Sequence, residues 1–170
     1  VFWTAVSCEK PSETELVVKR IEKYYNESFR NYADWFALPM HYLQALAAVE
    51  VSGRQNIPQR FEEHVYRDLI RVKNGELKRF ENITAADLKD TPDSLIKAMA
   101  KSWGPFQLMG YKCFYLQIDI NELVDSSGFY GALWIDLSYG ELVRKGDYKN
   151  AFHLHNTGKK YPENGPAFTY

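Results

Sequence analysis

Glu50 is the residue of this chain whose type and place point most directly to chemistry. It sits in Leu43-Gln44-Ala45-Leu46-Ala47-Ala48-Val49-Glu50-Val51-Ser52-Gly53. Leu43 and Leu46 precede it by seven and four residues, so on a helix its carboxylate shares their apolar face. Ser52-Gly53 stops that helix, which puts Glu50 in its last turn. Burial disfavours the charged carboxylate, and the helix C-terminus is the negative end of the dipole. Both effects raise the pKa. A carboxyl group still protonated near neutral pH is what a general acid requires. The same spacing also fits a plainer role, in which Glu50 pairs with Arg54 or Arg60 and closes the helix.

Two further segments deliver polar groups into apolar surroundings. In Ala100-Lys101-Ser102-Trp103-Gly104-Pro105-Phe106-Gln107-Leu108-Met109-Gly110-Tyr111, a Gly-Pro break is followed by an amide where a core residue would otherwise sit. The alternative is a helix-turn junction with Gln107 exposed. In Ala151-Phe152-His153-Leu154-His155-Asn156-Thr157-Gly158, a helix ends and presents polar side chains at its terminus. His153 and His155, with His41 and His64, raise the question of a metal. Residues two apart on a helix point to different sides, and no Cys-x-x-Cys or His-Glu-x-x-His spacing occurs, so neither metal nor cofactor is expected. Cys113 has no Gly-rich or His-paired context that would make it a nucleophile, and no phosphate-cradling glycine loop is present.

The elements that must position these groups read as a succession of helices. Ser12 with Glu15 forms a capping box, followed by Leu16, Val17, Val18, Ile21, Tyr24, Tyr25 and Phe29 at helical spacing. Pro39 starts a second helix running to Val51. A third follows Pro58, with Phe61, Val65, Leu69 and Ile70 on one side, until Asn74-Gly75 breaks it. Thr84 to Leu88 is a short capped turn, and Thr91-Pro92 opens a helix through Met99. Ile120 to Val124, Phe129 to Val143 and Lys149 to His155 are helical again. Weak alternation around Cys113 to Ile120 is the one strand candidate. The fold class is therefore mainly α, in a single compact domain.

Composition sets the outer bounds. The chain has 170 residues, 45% of them apolar, which suits one domain and excludes a disordered chain. Lys and Arg number 21 against 22 Asp and Glu, so no basic field exists to hold nucleic acid. No apolar run approaches the ~20 residues needed to span a membrane. The 12 Tyr, 10 Phe and 4 Trp suit a cleft that meets flat, amphipathic ligands such as sugars, and equally a Tyr-rich core. The chain begins at Val1 and holds two cysteines, Cys8 and Cys113. One disulfide between them would fit export, with a signal peptide already removed; two reduced thiols is the other reading.

Taken in order, Val49-Glu50-Val51-Ser52-Gly53, Phe61-Glu62-Glu63-His64-Val65-Tyr66, Ser102 to Gly110 and His155-Asn156-Thr157-Gly158 resemble the lysozyme superfamily. This includes the goose-type lysozymes and soluble lytic transglycosylases. The likeness is nearest to the peptidoglycan N-acetylmuramidase domains of phage endolysins, with their Val-Glu-Ser-x-Gly, Phe-Glu-x-His-x-Phe/Tyr, Ser-Trp-Gly-x-Phe-Gln-Ile-Met-Gly and Tyr-Asn-Gly motifs. It covers roughly residues 40–160, and the Ser-Trp-Gly-Pro-Phe-Gln-Leu-Met-Gly run is its most specific part.

The resemblance implies a lysozyme-like helical domain with a substrate cleft, divided into an N-terminal helical extension (1–38), a catalytic core (39–160) and a tail (161–170). Glu50 matches the general acid, and Glu62 the second acidic residue, with the adjacent Glu63 as its alternative. Gln107 matches the polar residue beside the scissile bond, and Asn156 the Asn of the third motif. Ser52, Met109, Tyr111, His155 and Tyr161 are expected at the substrate. Trp103 and Phe106 are expected to dry the acid, and Phe168 and Tyr170 join Tyr161 as candidate contacts. Val51 interrupts the usual Glu-Ser pair, and His155 stands where the family has Tyr, bringing a group that titrates near neutral pH.

The implied activity is that of a secreted or periplasmic, monomeric and bacteriolytic muramidase cutting the MurNAc-GlcNAc β-1,4 bond of peptidoglycan, with a de-N-acetylated wall as a candidate substrate. Glu50 would protonate the glycosidic oxygen, while a second carboxylate ~6.5–9.5 Å away activates water. Without that carboxylate, the sugar's own 6-hydroxyl attacks and leaves an anhydro end, the lytic transglycosylase outcome. A degenerate site that only binds peptidoglycan or inhibits another lysozyme is the rival of another class.

Overall fold

The computed structural model describes residues 10–162. Local chemistry accounts for most helix ends. The Ser12 hydroxyl accepts from the Glu15 amide while the Glu15 carboxylate accepts from the Ser12 N–H, a capping box that opens α1 (Glu13–Phe36). Pro39, with no N–H to leave unsatisfied, precedes α2 (Met40–Val51). Ser52 ends α2 in the left-handed region, and Gly53 follows at φ 63°. A Cβ on Gly53 would lie 2.9 Å from both Ile21 Cγ1 and the Val17 carbonyl oxygen. Glycine thus lets the Glu50 end of α2 lie directly against α1.

Helix α3 (Glu63–Lys73) starts after the Phe61 expected on its apolar face. Phe61 instead forms an isolated antiparallel bridge with Lys101 and is 39% exposed. The reason is backbone pairing. The Glu62 amide donates to Ala100 and the Ser102 amide to Arg60, so residues 60–62 run extended beside a hairpin. Strands β1 (Arg79–Phe80) and β2 (Ile83–Thr84) pair as Arg79↔Thr84 and Phe80↔Ile83. A Thr84–Asp87 capping box opens α4 (Ala85–Leu88), and Pro92 precedes α5 (Asp93–Met99). Strands β3 (Ser102–Trp103) and β4 (Leu108–Met109) pair as Ser102↔Met109 and Trp103↔Leu108.

The strand expected from Cys113 to Ile120 is not one. A 3₁₀ turn (Gly110–Lys112) runs into α6 (Cys113–Leu116), Gln117 reverses the chain at φ 56°, and Asp119 caps α7 (Ile120–Asp125). Alternating side chains over so few residues are equally served by two short helical turns packed on one core. Helix α8 (Ser127–Arg144) is broken at Tyr139, and α9 (Tyr148–Thr157) ends on Gly158 in the left-handed region. The molecule is a mainly helical single domain, and among its described residues no helix is long and apolar enough to cross a membrane.

Two apolar clusters make the core. One joins α1, α2, α8 and α9 through Phe29, Tyr42, Leu43, Leu46, Ile135 and Ala151. The other gathers α3 to α7 around Leu69, Leu88, Ile96, Leu108 and Leu123. The β3–β4 hairpin bridges them. Phe106 at its turn is 1% exposed and stacks on Phe29 at 5.1 Å in the first cluster, while Leu108 belongs to the second. Burying Phe106 contributes roughly 1.5–3 kcal/mol. Gly131 of α8 permits it, since a Cβ there would come within 2.9 Å of the Phe106 ring. The hairpin is thereby held at the seam between clusters, where the candidate site lies.

Candidate active site

Helix α2 brings Glu50 to the seam and α9 brings His155 to meet it. Glu50 Oε1 lies 3.5 Å from His155 Nε2, with the two side chains 18% and 12% exposed. Burial raises the Glu50 pKa, partly offset by the charge of Arg60. Arg60 does not close the helix on Glu50, because its guanidinium pairs with Glu62 at 2.6 Å. Burial also pushes His155 down to about 4, against a backbone hydrogen bond with Phe106 that favours protonation. Near neutral pH the imidazole is therefore uncharged, beside a carboxyl group whose pKa burial raises. On the other ring nitrogen, the Tyr139 hydroxyl lies 2.6 Å from Nδ1.

Gln107 is locked into the turn of the β3–β4 hairpin at φ 48°. Its Oε1 accepts from the buried Ser102 hydroxyl at 2.6 Å, and its Nε2 donates to the Gly104 carbonyl at 3.1 Å. The amide is half-buried and oriented rather than exposed. A cleft of about 600 Å³ runs past it, walled by Gln107, Met109, Tyr111, Tyr139, His155 and Asn156. Five residues expected at a substrate thus share one cavity; Glu50 does not line it itself but touches His155, which does.

Other expected residues lie elsewhere. Neither Glu62 nor Glu63 lines this cleft, although His64 of the same helix does. Glu62 is held by Arg60 and lies 3.7 Å from His64, and Glu63 is exposed. Ser52 is the C-cap of α2, its carbonyl accepting from Arg20, and is not a cleft residue. Tyr161 packs under the Lys149 ammonium at 3.8 Å and against His153, also outside the cleft wall. Trp103 donates its indole N–H to the Ala98 carbonyl. Cys8, Phe168 and Tyr170 lie outside the described residues. Cys113 is a buried thiol, pushed up to about 12 by its burial, which leaves it a poor nucleophile. Among the described residues no group of three or more His, Cys, Asp or Glu side chains is placed to hold a metal.

No family model, curated protein or solved structure matches this chain. The site therefore stands on its own geometry.

Sequence reading overlooked the far wall of the cleft. Glu81 and Lys112 line it with Trp134. Glu81 occupies the β1–β2 turn at φ 51°, a conformation costly for a residue that is not glycine. It accepts from the hydroxyls of Tyr115 (2.8 Å) and Tyr111 (3.1 Å) and from Lys112 Nζ (3.0 Å). Burial would raise its pKa, but the hydrogen bonds from Tyr115 and Lys112 and the Lys112 charge outweigh it and keep Glu81 below the usual carboxylate range. The Lys112 ammonium also lies 4.6–4.8 Å from the ring centres of Trp134, Tyr115 and Tyr111. These partners come from segments far apart in sequence, and a Glu-Asn turn gives no signal that its side chain gathers them. Glu81→Ala is expected to destabilise the fold by about 2 kcal/mol, because the largely buried Lys112 loses its counter-charge. Urea unfolding at pH 7 measures this, and equal midpoints for parent and variant would refute it.

Proposed function

We propose that this chain cleaves peptidoglycan glycan strands at the MurNAc-GlcNAc β-1,4 bond, as a lysozyme-type hydrolase with Glu50 as general acid. The observation that carries the reading is Glu50 itself. It is a carboxyl group with a burial-raised pKa, set against a neutral imidazole at the back of a cleft large enough for sugar rings. Protonated Glu50 donates to the glycosidic oxygen as positive charge develops on the departing sugar. The oriented amide of Gln107 and the exposed side chain of Asn156 supply hydrogen bonds to sugar hydroxyls and acetamido groups. Glu62 is the base of this reading. It is the less exposed of the adjacent pair, and the Arg60 guanidinium holds it at 2.6 Å.

One observation favours lytic transglycosylation instead. Neither Glu62 nor Glu63 lines the cleft, and a reaction closed by the sugar's own 6-hydroxyl needs no second carboxylate. Mass spectrometry of fragments released from purified sacculi separates the two. Hydrolysis adds one water per cut and leaves reducing ends throughout. Anhydro ends, lighter by that water, would replace hydrolysis with transglycosylation. Intact sacculi after prolonged digestion would overturn both.

A further inference from the structure

Five non-glycine residues among those described adopt a positive φ: Ala37, Ser52, Glu81, Gln107 and Gln117. Ala37, Ser52 and Gln117 are the C-caps of α1, α2 and α6, where a left-handed residue closes the helix. The other two close no helix. Glu81 and Gln107 sit in the turns of the two hairpins, and both line the cleft. Such strain persists where the surrounding structure fixes it, and here it fixes two polar side chains on one cavity.

Hydrogen bonds leave Glu81 one direction to use. A carboxylate accepts along about four lone-pair directions, two on each oxygen. Oε2 accepts from the Tyr115 hydroxyl at 2.8 Å and from Lys112 Nζ at 3.0 Å, which fills both of its own. Among the described residues Oε1 accepts only from the Tyr111 hydroxyl, at 3.1 Å. The Glu81 side chain is 37% exposed and that of Lys112 16%, so a molecule in the cleft reaches the carboxylate more readily than the ammonium. These two are the one carboxylate and the one ammonium among the described residues that line the cleft, and their charges cancel. Gln107, Ser138, Asn156 and Thr157 add neutral hydrogen-bonding groups around them.

We propose that Glu81 is a substrate-binding residue whose Oε1 accepts a hydroxyl or acetamido hydrogen from an uncharged glycan ring. Lys112, by cancelling its charge, makes the same wall discriminate against a ring that carries a free ammonium. The inference rests on the reading of the cleft as a glycan site. An ammonium there would be attracted by Glu81 and repelled by Lys112 at similar range, so its lost hydration would go largely uncompensated. A hydroxyl or amide hydrogen loses less hydration and gains a hydrogen bond to a charged acceptor. Three donors from residues 111–115 already hold the carboxylate in place, so binding costs little further ordering.

Binding to Glu50→Gln, which the proposed reaction leaves unable to cleave, reads this contact without turnover. The probes are the N-acetylglucosamine tetramer and its fully de-N-acetylated counterpart, titrated by calorimetry at pH 6, where the free amines are charged. The acetylated tetramer is expected to bind the tighter. Adding Glu81→Gln is expected to weaken it about tenfold, as for the loss of one hydrogen bond to a charged acceptor. Adding Lys112→Met instead is expected to move the ratio of the two affinities about tenfold toward the de-N-acetylated tetramer, because Glu81 then acts unopposed. If Glu81 merely holds Lys112, removing both charges restores binding, so recovery on combining Glu81→Gln with Lys112→Met would overturn the proposal. Unchanged affinity in Glu81→Gln would overturn it, as would no binding of either tetramer or a preference for the de-N-acetylated one. Glu81→Asp, which preserves the charge beside Lys112 and retracts the acceptor, carries the same test if Glu81→Gln does not fold. Glu81-dependent binding with no clearing of walls by the parent would remove the reaction and leave this contact standing. Clearing with Glu81-independent binding would do the reverse.

Discussion

Glu50→Gln is expected to reduce cell-wall clearing by about 10³-fold, within the range contributed by a positioned general acid. The amide matches the carboxyl in size and keeps the contact with His155, but it has no proton to transfer. Its effect on the fold runs the other way. Burial penalises ionised Glu50, and a neutral amide escapes that penalty, so unfolding midpoints at neutral pH should hold or rise slightly. Turbidity of purified walls, followed alongside thermal unfolding, checks both. Clearing as fast as in the parent would remove Glu50 from the reaction. Binding of glycan in both proteins, with no clearing by either, would replace the enzyme with a peptidoglycan-binding protein built on the same cleft.

The second large effect is loss of stability in acid, centred on His155. Its pKa falls from 6.5 to about 4 in the fold, because the largely buried ring resists a charge that the unfolded chain accepts. Its contribution is therefore complete above pH 6.5 and is lost as pH falls toward 4. A gap of this size corresponds to about 3 kcal/mol. Glu81 adds to the same trend at lower pH, since a depressed carboxylate pKa contributes stability above 4.5 that vanishes as the group protonates. Glu50 has the opposite sign: its contribution is present in acid and declines as pH rises through its elevated pKa. Urea unfolding of the parent and of His155→Gln at pH 7 and pH 4 isolates the imidazole. The parent should lose about 3 kcal/mol more than the variant between those pH values. Equal losses would show that burial of the neutral ring is not the source.

What was legible in the sequence was written within a few residues of itself. The Ser12–Glu15 capping box, the Thr84 turn, the stop at Ser52-Gly53 and the stop at Gly158 are local hydrogen-bonding and backbone facts, and the helices begin and end beside them. The half-burial of Glu50 followed from its spacing to Leu43 and Leu46, both fully buried. Gln107, His155 and Asn156 stood out as polar residues in apolar company, and they share a cleft. The two hairpins were not legible, because paired strands of two residues carry no periodicity and owe their existence to partners across the turn and to residues 60–62.

The tertiary structure alone decided the surroundings of Glu50. That His155 faces Glu50, that a broken turn aims Tyr139 at the far side of its ring, and that Glu81 gathers Lys112, Tyr111 and Tyr115 are contacts between segments remote in sequence. The residue types could be read from the chain, but a pKa belongs to an environment, and burial, partner and orientation come into being only when distant surfaces close on one another. Sequence determined which titratable groups the chain carries; packing decided in which direction burial and partners shift each of them.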